Sequence, residues 1–248
     1  MKTNIKDLTI WITGASSGIG AALSIAFAKR GATIILSGRD EAKLVAVKIR
    51  CKNSKNHFII PFNITDAKQA KDAYKTAKAQ AGQIDWLINN AGISQRSLIM
   101  ETTAEVERQI MEIDYFAQTR LTRLILPDMV TQGGGAYGAA KATLHMWANS
   151  LRAELYEQGI EVATVFPGFI QTSISINALT GDGSAQGTMD EATNKGLTAA
   201  TFAKQVIKAL IKGEEYIIVA GTKEKLATTV NRLSPPKLYK LIRESKVK

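Results

Sequence analysis

Short apolar runs alternate with longer helical patterns along almost the whole chain, and this alternation limits the possible folds more than any other feature. Leu8–Thr13, Ala32–Ser37, His57–Phe62, Trp86–Asn89, Glu161–Phe166 and Glu215–Ala220 read as strands. Between them, Ser17–Arg30, Glu41–Lys52, Asp66–Ala81, Thr103–Met129, Tyr137–Gln158 and Ala199–Lys212 carry apolar residues at helical spacing. Strands joined through helices must run parallel, and a parallel sheet needs helices on both faces. The expectation is an α/β fold with a doubly wound parallel sheet, a single domain over residues 1–248. The segment 173–200 is polar and glycine-containing, too long for a connecting turn, and reads as a lid.

Composition excludes several classes. Hydrophobic residues make up 45% and charged residues 22%, which is ordinary globular usage. No apolar run approaches the ~18 residues of a membrane span, and the first residues lack a signal-peptide core. A lone cysteine, Cys51, with two histidines makes a metal site improbable and suits a reducing, cytoplasmic setting. The net charge of +10 is concentrated at one end. Residues 223–248 hold eight Lys/Arg and two Glu, against 24 basic and 20 acidic residues elsewhere. This basic tail lacks interleaved aromatics apart from Tyr239, so nucleic-acid binding is not expected. Leu226, Val230 and Leu233, then Leu238, Leu241 and Ile242, give it helical apolar spacing. Docking on its own domain or a partner subunit is expected ahead of contact with an anionic membrane surface.

Gly14-Ala15-Ser16-Ser17-Gly18-Ile19-Gly20 lies between the first strand and the first helix. Glycines there let the backbone turn tightly and approach a pyrophosphate, whose charge sits at the helix N-terminus. The candidate phosphate-loop residues are Gly14, Ser16, Ser17, Gly18, Ile19 and Gly20. The same letters fit the nucleophile elbow of a hydrolase with Ser16 central. That reading lacks a suitable histidine, since His57 begins a strand and His145 lies within a helix. At the end of the second strand stand Ser37-Gly38-Arg39. No carboxylate is there to take a ribose 2′-hydroxyl, and the Arg39 fork suits a 2′-phosphate. The expected cofactor is NADP(H).

Tyr137 and Lys141, four apart, would share a helix face. A free tyrosine titrates near ~10, and an adjacent ammonium favours the phenolate. Such a tyrosine can exchange a proton with a carbonyl or alcohol oxygen while a nicotinamide exchanges hydride.

Five segments now stand in order: TGASSGIG at 13–20, FNITD at 62–66, NNAG at 89–92, YGAAK at 137–141 and PGFIQT at 167–172. Together they resemble the short-chain dehydrogenase/reductase family over nearly the whole chain, and 172–193 resembles its dehydrogenase/reductase member 7 branch. The resemblance implies a Rossmann-like fold and a small-molecule carbonyl or alcohol substrate. It implies that Tyr137 is the acid/base and that Lys141 also holds the nicotinamide ribose. Asn90, Ala91 and Gly92 would line the adenosine ribose and the cofactor's midsection, with Asn63 and Ile64 near the adenine. Pro167, Gly168, Ile170 and Thr172 would face the carboxamide and phosphates. Ile174, Ile176, Leu179, Met189 and Leu197 would line the lid. Family members pair through two long helices, implying a homodimer or homotetramer. Leu144, Ala148, Leu151 and Leu155 form an apolar row on the second helix, part of it facing the chain's own sheet. A 3-oxoacyl thioester reductase and a nucleotide-binding protein without turnover are the competing readings.

Two departures from the family pattern stand out. Asp114 takes the place of a catalytic Asn, bringing a charge that would raise the lysine's pKa. And only seven residues, VTQGGGA, separate Met129 from Tyr137. Fully extended they reach ~25 Å, too little for a return strand with its loops. The fifth strand and the catalytic Ser after it are therefore expected to be absent. We read a natural chain with about 18 further residues between Gly135 and Ala136 as better supported than a true deletion, because losing a central strand would expose its neighbours' apolar faces.

Overall fold

The computed structural model describes residues 5–97, 101–131, 136–139, 142–180, 182–234, 236 and 238; the side chains of 136–139, 142–147, 150, 223, 227–228 and 231–233 lie outside the description. In chain order come β1 (Thr9–Thr13), α1 (Gly18–Ala28), β2 (Thr33–Gly38), α2 (Glu41–Arg50), β3 (Phe58–Pro61), α3 (Ala67–Ala81) and β4 (Trp86–Asn89). Then follow α4 (Ala104–Met111), α5 (Ala117–Thr131), β5 (Ala136–Ala139), α6 (Ala142–Leu155) and β6 (Glu161–Pro167). The last elements are β7 (Ile170–Gln171), α7 (Glu191–Asn194), β8 (Leu197–Thr198), α8 (Ala199–Ile211), β9 (Tyr216–Val219) and α9 (Thr222–Leu233).

The main sheet has the order β3-β2-β1-β4-β5-β6-β9, parallel throughout. Because alternate residues face opposite sides, each strand feeds two cores. On one side Ile10, Ile12, Ile34, Leu36 and Val165 pack with Phe27 of α1 and Phe202 of α8. On the other, Trp11, Ile35, Leu87 and Val162 pack with Ala70 of α3, Leu121 of α5 and Leu151 of α6. Both strand faces are thus buried, as the continuous apolar runs require. The chain reverses its order beside β1, between β2 and β4, and the crevice there is where doubly wound sheets take ligands.

Two expectations are corrected. Thr103–Met129 is not one α-helix: α4 and α5 are joined by a π-helical stretch, Glu112–Phe116. The sheet does have a fifth strand, and it is made of Ala136–Ala139, the start of the segment expected to be helical. Leu87 and Ile88 on β4 face Val162 and Ala163 on β6 across this one strand. Leaving the gap empty would strand backbone donors and acceptors in the middle of the sheet. The chain fills it with the first residues that can reach, and the helix starts late, at Ala142. Tyr137 therefore lies in β5 and not on the helix it was expected to open. Lys141 itself lies outside the described residues.

Candidate active site

The crevice is a cleft of about 690 Å³ lined from the phosphate loop to the lid. Its floor is the loop after β1. Gly14 and Gly18 have φ of +64° and +54°, the left-handed region that glycine enters without strain. Gly20 serves a different need: a Cβ there would lie 2.3 Å from the Gly14 carbonyl oxygen and 2.6 Å from Asn90 Nδ2. The chain folds this tightly because Thr13 and Asn90 brace it. Thr13 Oγ1 accepts from the backbone N–H of Asn90 and of Ala91, both at 3.0 Å. Asn90 Nδ2 donates to the carbonyls of Thr13 and Gly14 at 3.0 and 3.2 Å. The amide expected to touch a ribose thus also locks β4 onto the loop, a role the spacing alone did not reveal.

Ser17 caps α1 with extended backbone and no capping bond from its side chain, and the first turn holds no acidic residue. The positive end of the helix is left uncompensated toward the cleft, as an anion site requires. Across from it, Ser37, Gly38 and Arg39 at the end of β2 line the same cleft, joined by Lys43. Lys43 was not anticipated. It pairs with Asp40 at 2.9 Å, and Asp40 caps α2 by accepting from the Lys43 N–H at 3.0 Å. The Lys43 ammonium first, and then that N–H, hold the Asp40 carboxyl below its usual range.

Farther along, Phe62, Asn63 and Ile64 form the wall beside the loop. Asn63 Oδ1 accepts from the N–H and hydroxyl of Thr65 at 3.2 and 2.9 Å. Its amide is therefore committed to its own turn on the oxygen side. Asn90, Ala91 and Gly92 lead into Ile93 and Ser94, and Pro167 and Thr172 close the opposite wall. Gly168, Gly20 and Ile170 do not line the cleft. Gly168 is packed so that a Cβ would meet Ala220 at 2.7 Å, and Ile170 is buried in the core. These residues shape the walls from behind.

Asp114 stands on the π-helical stretch and accepts from the Ile93 N–H at 2.9 Å. A π turn rotates that side chain out of helical register toward β4, a geometry no local pattern announced. Gln118, one turn on, donates to the Ala91 carbonyl. Asp114 and Gln118 therefore hold the strand-end segment that carries Asn90 to Ile93.

The lid is only partly as expected. Ile174 and Leu179 line the cleft with Ser173 and Asn177, while Ile176, Met189 and Leu197 do not. Leu197 instead packs against the α1–α8 core, and Met189 Sδ accepts from Ser175 Oγ at 3.0 Å. The lid is pinned on the segment after β4: Arg96 N–H donates to the Leu179 carbonyl at 2.7 Å and Leu179 N–H to the Ser94 carbonyl at 2.8 Å. Arg96 Nε reaches Asp190 at 2.9 Å. Hydrogen bonding from Gln186, and then Arg96, keeps the Asp190 carboxyl below its ordinary range.

Among the described residues His57 and Cys51 are structural, while the side chain of His145 lies outside the description. His57 Nδ1 accepts from the Ile34 N–H at 3.1 Å and Nε2 faces the Lys52 carbonyl at 2.8 Å, so the ring ties β2 to the turn before β3. Burial pushes the Cys51 thiol up to about 11. Among the described residues no cluster could hold a metal ion, and no helix is long and apolar enough to cross a membrane.

A glycine-rich loop opening a helix beside the switch point of a parallel sheet is the form that dinucleotide-binding clefts take. Comparison with known proteins takes the assignment further. The short chain dehydrogenase family model matches residues 8–136 and 132–182. Dehydrogenase/reductase SDR family member 7B of Xenopus laevis is 34% identical, over 96% of this chain and 81% of that protein. A Drosophila melanogaster protein, dehydrogenase/reductase SDR family protein 7-like, is 32% identical over 100% of this chain and 83% of its own length. Among solved structures, a Burkholderia phymatum short chain dehydrogenase/reductase in complex with NAD superposes with a TM-score of 0.81 at 18% identity, covering 95% of this chain and 96% of that one. A Sphingobium yanoikuyae short-chain dehydrogenase in complex with NADPH gives 0.71 at 25% identity, covering 92% and 96%. The chain belongs to the short-chain dehydrogenase/reductase family and is thereby an oxidoreductase by descent.

Proposed function

We propose that the chain binds NADP(H) in the cleft between the phosphate loop and Arg39, and that its reaction class is the interconversion of a carbonyl and an alcohol. The observation that carries the nucleotide choice is the end of β2. Gly38 presents no carboxylate there, and the cations Arg39 and Lys43 stand on the rim of the same cleft. A carboxylate would repel a 2′-phosphate; a guanidinium fork binds it. The Sphingobium relative, which binds NADPH, is consistent with this choice. The residues fit the dinucleotide: a glycine turn at positive φ, an uncompensated helix N-terminus and a cation at the 2′ end. When bound, the cofactor supplies the hydride. Ser16, Ser17 and Gly18 would hold its phosphates, and Asn90, Ala91 and Thr172 the middle of the molecule. The substrate end, among the described residues, offers Ile93, Ile113, Ile174 and Leu179 with Ser94, Gln109 and Asn177, which suits a largely apolar molecule with a polar group. Tyr137 would exchange the proton, with Lys141 favouring its phenolate, when both stand on one helix face.

A second reading is favoured by one finding. Tyr137 lies in β5; on this reading the chain would be a nucleotide-binding protein that keeps the cofactor cleft without turnover. Cytoplasmic location and assembly as a homodimer or homotetramer complete the proposal. Ala148, Leu151 and Leu155 are spent on the chain's own core, while Met111 and Phe116 are 37% and 50% exposed and offer a partner surface. Fluorescence titration with NADPH and NADH, followed by NADPH oxidation against a panel of ketones, tests both readings. Tighter binding of NADPH supports the nucleotide assignment. Oxidation abolished by Tyr137→Phe supports turnover, and binding without oxidation supports the second reading.

A further inference from the structure

Three contacts at matched spacing join the end of β4 to α5 and the π-helical stretch before it. Asn89 Nδ2 donates to Thr122 Oγ1 at 2.9 Å. Gln118 Nε2 donates to the Ala91 carbonyl. Asp114 accepts from the Ile93 N–H at 2.9 Å. The strand-side residues are two apart and the helix-side residues four apart, numbered in opposite directions. Two residues of extended chain advance ~6.6 Å and four of helix ~6 Å, so the rungs stay in step. The two ends of this ladder differ. Asn89 is 1% exposed and does not line the cleft, whereas Ala91, Gly92 and Ile93 do.

The middle rung has an unusual feature. Gln118 is 1% exposed. Its Nε2 faces two carbonyls, that of Ala91 and, at 3.4 Å, that of Ile113. Its Oε1 is buried without a partner. A buried, unpaired carbonyl oxygen is destabilising, and methionine would fill the same length without one. What the amide supplies is direction. A trans peptide is planar, with its C=O and N–H on opposite sides. Drawing the Ala91 carbonyl toward α5 turns the Gly92 N–H away from it. Asp114 draws the Ile93 N–H to the same side, which turns the Gly92 carbonyl away as well. Gly92 therefore presents a donor and an acceptor together, opposite the helix, and it lines the cleft. Neither group enters a hydrogen bond among the described residues.

We infer that Gln118 is a positioning residue for the bound dinucleotide: with Asp114 it sets the two peptides around Gly92, so that the Gly92 N–H and carbonyl meet the ribose on the nicotinamide side. A hydroxyl both donates and accepts, and a 2′-phosphorylated dinucleotide keeps an adjacent pair of hydroxyls only on that ribose. The inference rests on the nucleotide reading above. Thr122, one turn farther along α5, grips Asn89 behind the cleft and holds only the sheet.

Affinities for NADPH and for adenosine 2′,5′-bisphosphate, which lacks that ribose, separate positioning from stability. Gln118→Met weakens NADPH binding by about tenfold or more and leaves the bisphosphate within about threefold. Gln118→Glu has the same shape but sets an acceptor against the Ala91 carbonyl; it acts likewise, and decides if the methionine variant does not fold. Thr122→Val lowers the unfolding midpoint by at least ~2 °C and leaves the ratio of the two affinities unchanged. Equal weakening of both ligands by the Gln118 variants, or no weakening, overturns the inference. So does a Thr122→Val variant that shifts the ratio as far. An unaltered chain that binds neither ligand refutes the nucleotide reading instead. Amide exchange of the ligand-free chain then still tests the ladder: Ala91 and Ile93 exchange about tenfold faster or more in Gln118→Met, and unchanged exchange means that Gln118 does not set these peptides.

Discussion

Replacing Gly20 with alanine sets two effects of opposite sign against each other. Gly20 lies in the first turn of α1, where alanine would favour the helix by about 1 kcal/mol through propensity alone. The added methyl carbon, however, would sit 2.3 Å from the Gly14 carbonyl oxygen and 2.6 Å from Asn90 Nδ2. Unstrained contacts begin near ~3.5 Å, so a shift of about 1 Å is required. Neither neighbour can give way at low cost. Gly14 is held at φ +64°, and its carbonyl accepts from the same Asn90 amide that pins β4 to the loop. Overpacking a tight site costs ~1–3 kcal/mol and sometimes more, which exceeds the gain except at its lower limit. We expect Gly20→Ala, with a net cost of up to ~2 kcal/mol, to lower the unfolding midpoint by up to ~8 °C for a chain of this size, and to weaken NADPH binding at least tenfold because the loop is displaced. Differential scanning calorimetry with and without NADPH measures both. A raised midpoint with unchanged NADPH stabilisation would refute the packing argument and leave helix propensity in control.

Other outcomes follow from the same geometry. Arg39→Asp removes a 2′-phosphate partner and adds a repelling charge; NADPH affinity should fall ~10²-fold or more while NADH affinity holds or improves, by fluorescence titration. Asp190→Asn breaks a half-exposed ion pair worth only ~0.5 kcal/mol, so the midpoint should barely move while limited proteolysis within 173–190 accelerates. Burial depresses the His57 pKa, so the folded state binds fewer protons than the unfolded one below the ordinary value of 6.5. Stability should therefore be complete above about pH 6.5 and decline on acidification toward the lowered folded value. His57→Gln should flatten that decline in urea titrations between about pH 7 and 5.

Much of this architecture is legible locally, and the exceptions have a common origin. Leu8–Thr13 and Ala32–Ser37 announce themselves because both faces of a parallel strand are buried, and Gly14 to Gly20 because only glycine satisfies that turn. Arg39 could be read from its place after β2. The fate of 136–139 could not. Alanine, glycine and tyrosine at 136–139 have weak and mixed preferences, and what decides them is the exposed edges of β4 and β6, a demand made by residues 25 to 50 positions away. The π turn at Glu112–Phe116, which aims Asp114 at Ile93, leaves no mark in the apolar periodicity. Lys43 and Thr13 were missed because their roles depend on neighbours brought in by β1, β2 and β4 together. Ile176, Met189 and Leu197 misled for the opposite reason: apolar residues in a long loop pack beneath it as readily as they face a substrate.

The central claim is that this cleft selects the phosphorylated dinucleotide through the end of β2. Side-by-side titration of the unaltered chain with NADPH and NADH, followed by protein fluorescence at moderate salt, tests it most directly. The account predicts saturable binding with NADPH at least tenfold tighter than NADH, and loss of that preference in Arg39→Asp. Equal or tighter binding of NADH by the unaltered chain would contradict it.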